Sequence, residues 1–196
     1  MTMSELLRSD NPQVIAEILV RGGIIVFPTD TVWGIGCIYN NKESVKRLYR
    51  IKKRLPNKPT SLLIPDISWL SRLADITKDQ GFFVSSHWPG ALTVVVPAKK
   101  EIAKNTFVSE TGQVGIRLPN HKPLLKVLSI IKTPILGPSA NFASQTPPTK
   151  ISQLDPKLLE LVDAVFIAKN GHGKESTVIS LENKKITIIR DGAVKI

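Results

Sequence analysis

Cysteine is nearly absent from this chain of 196 residues: Cys37 stands alone, so no internal disulfide can form and a reducing compartment is the natural setting. Histidine is scarce as well. His87, His121 and His172 are scattered, and with a single cysteine they offer no zinc-ligand spacing. No apolar run approaches the roughly 18 residues that a membrane helix needs. The start, Met1-Thr2-Met3-Ser4-Glu5, lacks the basic-then-apolar pattern of a secretory leader. These absences lead to the expectation of a cytoplasmic protein without a membrane segment. Aromatic residues are only 6% of the chain, which leaves few stacking platforms for a single-stranded RNA reader. Acidic residues are also few: 16 against 27 Lys and Arg, a formal charge of +11, which favours a polyanionic partner such as a nucleotide or an RNA. With no internal repeat and no long low-complexity stretch, residues 1–196 are expected to form one domain.

What is present is an alternation of strand-like and helix-like segments, the pattern of an α/β domain. Asn11-Pro12 reads as the cap and first turn of a helix over 13–21, stopped by Gly22-Gly23. A second helix fits 42–51, where Val45, Leu48, Tyr49 and Ile51 form an apolar stripe. Further helices are expected at 122–131 and 152–161. Buried strands are expected at 24–27, 61–64, 91–96, 114–118, 135–137 and 164–168. Residues 176–181 and 185–190 read as a hairpin turning at Glu182-Asn183-Lys184. Parallel crossovers with an antiparallel element predict a twisted mixed sheet flanked by helices.

Familiar nucleotide motifs fail. Gly173-Lys174 is followed by Glu175, which breaks a Walker A loop, and Gly34-Ile35-Gly36 lacks the third glycine of a dinucleotide fingerprint. No Ser-His or Cys-His pairing stands out as a nucleophile. Polar clusters instead fall where strands end. The hydroxyls of Pro28-Thr29-Asp30-Thr31-Val32-Trp33-Gly34 can bind a small ligand, with Gly34 and Gly36 permitting close backbone approach, or can simply close a turn over a buried Trp33. Lys52-Lys53-Arg54-Leu55-Pro56-Asn57-Lys58 is either a phosphate clamp or a solvated basic helix end. Gly137-Pro138-Ser139-Ala140-Asn141 is either a phosphate or ribose contact or a plain Ser/Asn turn. Arg117 sits inside an apolar strand and requires an anionic partner, from the protein or from a substrate. Glu175-Ser176-Thr177 and Arg190-Asp191-Gly192 repeat the pattern. Ligands of open α/β sheets bind outside strand ends, and cations with hydrogen-bond donors suit catalysis by positioning and charge stabilisation at phosphorus.

Taken in order, the Pro-Thr-Asp-Thr-Val-Trp-Gly segment, Lys52-x-Arg54, Trp88-Pro89-Gly90-Ala91-Leu92-Thr93, Gly115-Ile116-Arg117-Leu118-Pro119, Ser139-x-Asn141, Ser176-Thr177-Val178 and Arg190-x-Gly192 resemble the YrdC-like family of threonylcarbamoyl-AMP synthases. The resemblance covers almost the whole chain in its short form. It implies a mixed sheet curved around a basic concave cavity, and a nucleotidyl transfer that joins L-threonine, bicarbonate and ATP. It implies Lys52, Arg54, Ser139 and Asn141 on the phosphates, helped by Lys58 and Arg190, with Pro147 completing the ATP site and Lys52 and Arg54 as the catalytic pair. Thr31, Arg117 and Ser176 would hold threonine, Arg117 answering its carboxylate. Magnesium would come with the triphosphate, with no protein ligand identified. A downstream transferase would carry the product to adenosine 37 of ANN-decoding tRNAs. Two departures stand out: Leu63 where some members carry a histidine, and Gly137-Pro138 where many carry serine or threonine. Two alternatives go with this reading: an RNA-binding module of the same fold without synthase activity, and a carbamoyl-adenylate maker of the hydrogenase-maturation type.

Overall fold

The computed structural model describes residues 6–55, 60–104, 112–169, 171, 173–182 and 185–196. Its elements follow the chain as β1 (Leu7–Ser9), α1 (Pro12–Val20), β2 (Ile25–Phe27), β3 (Gly34–Ile38), α2 (Lys42–Ile51), β4 (Leu62–Leu63), α3 (Ser68–Leu73), α4 (Lys78–Ser85) and β5 (Leu92–Pro97). Then come α5 (Lys100–Ala103), β6 (Gln113–Arg117), α6 (Lys122–Ile131), β7 (Ile135–Leu136), α7 (Pro156–Leu159), β8 (Ala164–Phe166), β9 (Thr177–Glu182) and β10 (Lys185–Arg190). One ten-stranded sheet takes them in the order β1-β8-β2-β3-β7-β4-β6-β5-β9-β10. It is mixed, as expected: β2 runs parallel to β8 and β4 to β6, whereas β2/β3, β3/β7, β5/β6 and β9/β10 are antiparallel.

Strand alternation divides the core between the two faces of the sheet. Ile24, Val26, Leu62, Ile64 and Leu136 join one buried cluster with the α2 residues Val45, Leu48 and Tyr49. Ile25, Phe27, Leu63 and Ile135 join the other, under Ile15 and Leu19 of α1 and Leu124 and Leu128 of α6. The helix ends obey the residues that flank them. Asn11 accepts from the Gln13 amide at 2.9 Å, and Pro12 fills the first turn, where its missing N–H is not needed. Asn11→Ala is therefore expected to lower stability by about 1 kcal/mol, read as a shift of the urea midpoint without a change in m-value. No helix among the described residues is long and apolar enough to cross a membrane.

Several expectations need correction. The helix expected at 152–161 is a 3-10 turn, Ile151–Gln153, followed by the short α7. Asp155 takes an extended conformation before Pro156 and its carboxylate caps Lys157, so the helix restarts there instead of running through. β3 is a full central strand, although its Gly34-Ile35-Gly36 sequence signals close approach and not extension. A Cβ on Gly36 would lie 2.0 Å from the Leu136 carbonyl oxygen, so the approach that this glycine permits is between neighbouring strands, not to a ligand. The elements β1, α3, α4 and α5 carry weak patterns: α4 has a glycine within it, and its Phe82 is left exposed. The hairpin is present, and Asn183 and Lys184 of its turn lie outside the described residues.

Candidate active site

The topology brings the polar clusters together at the ends of neighbouring strands of the sheet. β4 and β6 run parallel with Leu63 level with Arg117, and β5 returns antiparallel beside β6, so the start of β5 lies next to the end of β6. β9 pairs in parallel with β5, with Leu92 level with Thr177, which adds Ser176 and, through the hairpin, Arg190 to the same cluster. The turn between β2 and β3 and the segment after β7 close over them, tied by Gly34 bridged to Ser139 and by the Ala140 amide donating to the Trp33 carbonyl at 2.8 Å. The result is a cavity of about 180 Å³. Its polar wall includes Thr31, Arg54, Arg117, Ser139, Ser176 and Arg190.

Arg117 is the most constrained of these groups. Its guanidinium is buried and donates to Asp30 at 2.6 Å and to the Thr31 hydroxyl at 2.9 Å, while Nε donates to the Gly90 carbonyl at 3.0 Å. Asp30 does not line the cavity, so it anchors Arg117 from outside it. Of the five N–H donors of the guanidinium, these three bonds leave two. Burial pushes the Arg117 pKa down, the Asp30 carboxylate opposes that, and the charge of Arg190 adds to the lowering. Each of the two arginines already has a carboxylate partner, Asp30 for Arg117 and Glu175 for Arg190.

Thr29 and Thr31 are buried and share a hydroxyl contact at 3.0 Å, with Thr29 donating to the Val32 carbonyl at 2.7 Å. The segment is a hydrogen-bonded turn over a buried Trp33, and Thr29 and Thr31 are among the residues that line the cavity. On the far side, Ser176 and Thr93 hydroxyls lie 2.9 Å apart, and Arg190 donates to the Ser176 carbonyl at 2.9 Å and hydroxyl at 3.1 Å. Arg190 also pairs with Glu175, an acidic residue of the cavity wall. Asp30, Thr93 and Glu175 belong to the quoted motifs, but their parts in the site come from partners distant in sequence.

Other expected residues fall elsewhere. Lys52 does not line the cavity: its ammonium is buried and donates to the carbonyls of Ser139 and of Asn141, the latter at 2.7 Å. Lys52 is thus neither a solvated helix end nor part of the cavity wall, and of the described residues of the basic run Arg54 lines the cavity. Asn141 also turns away, its amide donating to the carbonyls of Phe142 at 2.9 Å and Gln145 at 2.7 Å. Pro147 is not part of the cavity wall, although the neighbouring Pro148 carbonyl accepts from the Trp33 amide at 2.9 Å. Lys58 lies outside the described residues. Leu63 and Gly137 meet at the wall: a Cβ on Gly137 would come 2.5 Å from the Leu63 Cδ1, so the bare backbone at 137 is what admits the leucine. Cys37 is buried in the core, and burial pushes its thiol up to about 12, which removes it as a nucleophile.

Fold and cavity together define an α/β protein with a cationic, hydroxyl-rich site at the strand ends of a mixed sheet. The chain belongs to the Sua5/YciO/YrdC family, whose model, described as "Sua5_yciO_yrdC: Telomere recombination", matches residues 17–192. A Bacillus subtilis protein named threonylcarbamoyl-AMP synthase is 31% identical over 98% of this chain and 57% of its own length. A Methanocaldococcus jannaschii protein, named putative threonylcarbamoyl-AMP synthase, is 32% identical over 91% of this chain and 84% of its own. This chain thus spans little more than half of the first relative and most of the second. Among solved structures, Pyrococcus abyssi Sua5 complexed with L-threonine superposes with a TM-score of 0.86 at 26% identity, over 95% of this chain and 56% of that one. The structure of E. coli YciO superposes with a TM-score of 0.85 at 23% identity, over 97% of this chain and 95% of that one, which shows a shared fold.

Proposed function

We propose that this protein is an L-threonylcarbamoyladenylate synthase, and that its product serves N6-threonylcarbamoyl modification of adenosine 37 in ANN-decoding tRNAs. The observation that carries the reading is one cavity whose wall holds Arg54, Arg117 and Arg190 with the hydroxyl residues Thr31, Ser139 and Ser176. We assign Arg117, Thr31 and Ser176 to a first station and Arg54 and Ser139 to a second, with Arg190, which donates to Ser176, between them. The first station suits a small amino acid, whose carboxylate takes the two guanidinium donors left by Asp30, Thr31 and Gly90. The second suits the phosphates of ATP, and Lys58 is assigned there as well. Relatives named as synthases and a relative structure holding L-threonine support the assignment.

In this reading the threonine amine condenses with bicarbonate, losing water, and the carbamate oxygen attacks the α-phosphorus while pyrophosphate leaves. The chain supplies position and charge. Arg117 fixes the amino acid, and Arg54 and Arg190 stabilise negative charge gathering on the phosphates. Magnesium enters as part of the ATP substrate. Asn141 acts by bracing its turn, and Pro147, which is not part of the cavity wall, is assigned to the nucleotide on the family resemblance alone. The reaction takes place in the cytoplasm, a downstream transferase consumes the product, and the surplus positive charge serves contact with tRNA.

Incubation with ATP, L-threonine and bicarbonate is expected to give threonylcarbamoyl-AMP by mass spectrometry, with one pyrophosphate released per adenylate. Omitting either threonine or bicarbonate should abolish it. Salt-sensitive RNA binding without any ATP binding would replace this reading with that of an RNA-binding module, and adenylate formed from carbamoyl phosphate would replace it with the hydrogenase-maturation type.

A further inference from the structure

Lys52 follows α2 directly, and the next residue, Lys53, takes a left-handed conformation with φ 51° that turns the chain at the helix end. That turn sends the Lys52 side chain inward until only 3% of the residue is exposed. Its Nζ donates to the Ser139 and Asn141 carbonyls, while its own carbonyl accepts from the Ala143 amide at 2.9 Å. One residue therefore holds the 139–143 segment at three points. From the same segment only Ser139 reaches the cavity wall.

The chemistry of an anion site explains why such a brace is needed. A turn offers both N–H and C=O groups, and a carbonyl oxygen facing a phosphate repels it. A buried carbonyl without a donor is itself unfavourable, so the turn would otherwise reorient to satisfy those oxygens. A cationic donor behind the turn draws two carbonyls away from the cavity and leaves its hydroxyl side facing the ligand. We propose that Lys52 is a positioning residue that fixes the Ser139–Asn141 turn in its phosphate-accepting orientation and does not itself touch the nucleotide. Burial, with a smaller contribution from the charge of Arg54, pushes its pKa down to about 7. A neutral amine still has two N–H groups for two carbonyls, so the brace survives loss of the charge.

The proposal rests on the assignment of phosphates to Ser139, and its test separates the two. Amide hydrogen exchange is measured on nucleotide-free protein, wild type and Lys52→Met, and Mg-ATP and L-threonine affinities are measured by calorimetry. In the nucleotide-free variant the amides of Ala140 and Ala143 are expected to exchange at least about 10-fold faster while those of α2 are unchanged, the equivalent of losing about 1.4 kcal/mol locally. Mg-ATP affinity should fall at least about 10-fold with threonine affinity within about 2-fold, and Lys52→Arg should recover part of the loss. Unchanged exchange at 140–143 together with lost ATP affinity would make Lys52 a direct phosphate contact and overturn the proposal. Should Lys52→Met fail to fold, the wild-type Lys52 Nζ resonance decides: little change on saturation with Mg-ATP is expected, and a large shift overturns it. Wild-type protein that binds no ATP defeats the phosphate assignment, while the exchange data still report whether Lys52 braces the turn.

Discussion

Arg117→Met is expected to remove L-threonine binding, with threonine-dependent pyrophosphate release falling about 100-fold or more, the loss typical of a preorganised charge-stabilising donor. The same change should destabilise the protein by about 3 to 5 kcal/mol, because Asp30 is left as a largely buried charge without its partner. These two effects are separable. Removing both charges in Arg117→Met/Asp30→Asn takes away the unpaired carboxylate, and replacement of a whole buried pair is often close to neutral, so most of the stability should return. Threonine binding should not. Urea denaturation of the single and double variants, with threonine titrated by calorimetry, checks both statements. Recovery of binding in the double variant would mean that Arg117 is a structural residue and that the amino-acid carboxylate is held elsewhere.

The second large effect lies in the sheet. Gly36→Ala would set a methyl group 2.0 Å from the Leu136 carbonyl oxygen and 3.1 Å from the Phe27 ring. β3 is paired on both sides, with β2 and with β7, so the backbone has no free direction in which to yield. A loss of about 3 kcal/mol or more is expected, at the upper end for overpacking, seen as a collapse of the thermal transition or of soluble yield. Gly112 provides the contrast. A Cβ there meets nothing within 4 Å, and only its left-handed φ of 77° opposes substitution, so Gly112→Ala should lower stability by about 1 to 2 kcal/mol. Comparable losses at the two glycines would refute the packing argument.

The candidate site at the strand ends was partly readable because its residues are concentrated in short local motifs. Arg117 in an apolar strand already required an anionic partner, and the structure supplies one from the protein, Asp30, for a residue that also lines the cavity. The threonines of residues 29–31 and Ser176 were legible for the same reason, as hydroxyls at strand ends. Strand and helix positions followed from apolar periodicity wherever the period was strong, as in α2 and β6. β3 escaped because two glycines in five residues suppress the pattern, although burial between β2 and β7 makes it a strand regardless. The apolar periodicity of 152–161 predicts one helix because it continues through Asp155-Pro156, whereas the capped proline restarts the helix there.

The sequence by itself determined the mixed α/β class and the set of cationic and hydroxyl groups from which a site for anions can be built. Those are properties of composition, periodicity and local motif. Only the tertiary structure decided which of these groups face the cavity. Lys52 and Arg54 are two residues apart, yet one braces a turn 87 residues away and the other lines the site. That division depends on the left-handed step at Lys53 and on two carbonyls brought to Lys52 by β7, neither of which a basic run reveals. A side chain's direction is set by what packs around it, and for this site those neighbours come from distant strands.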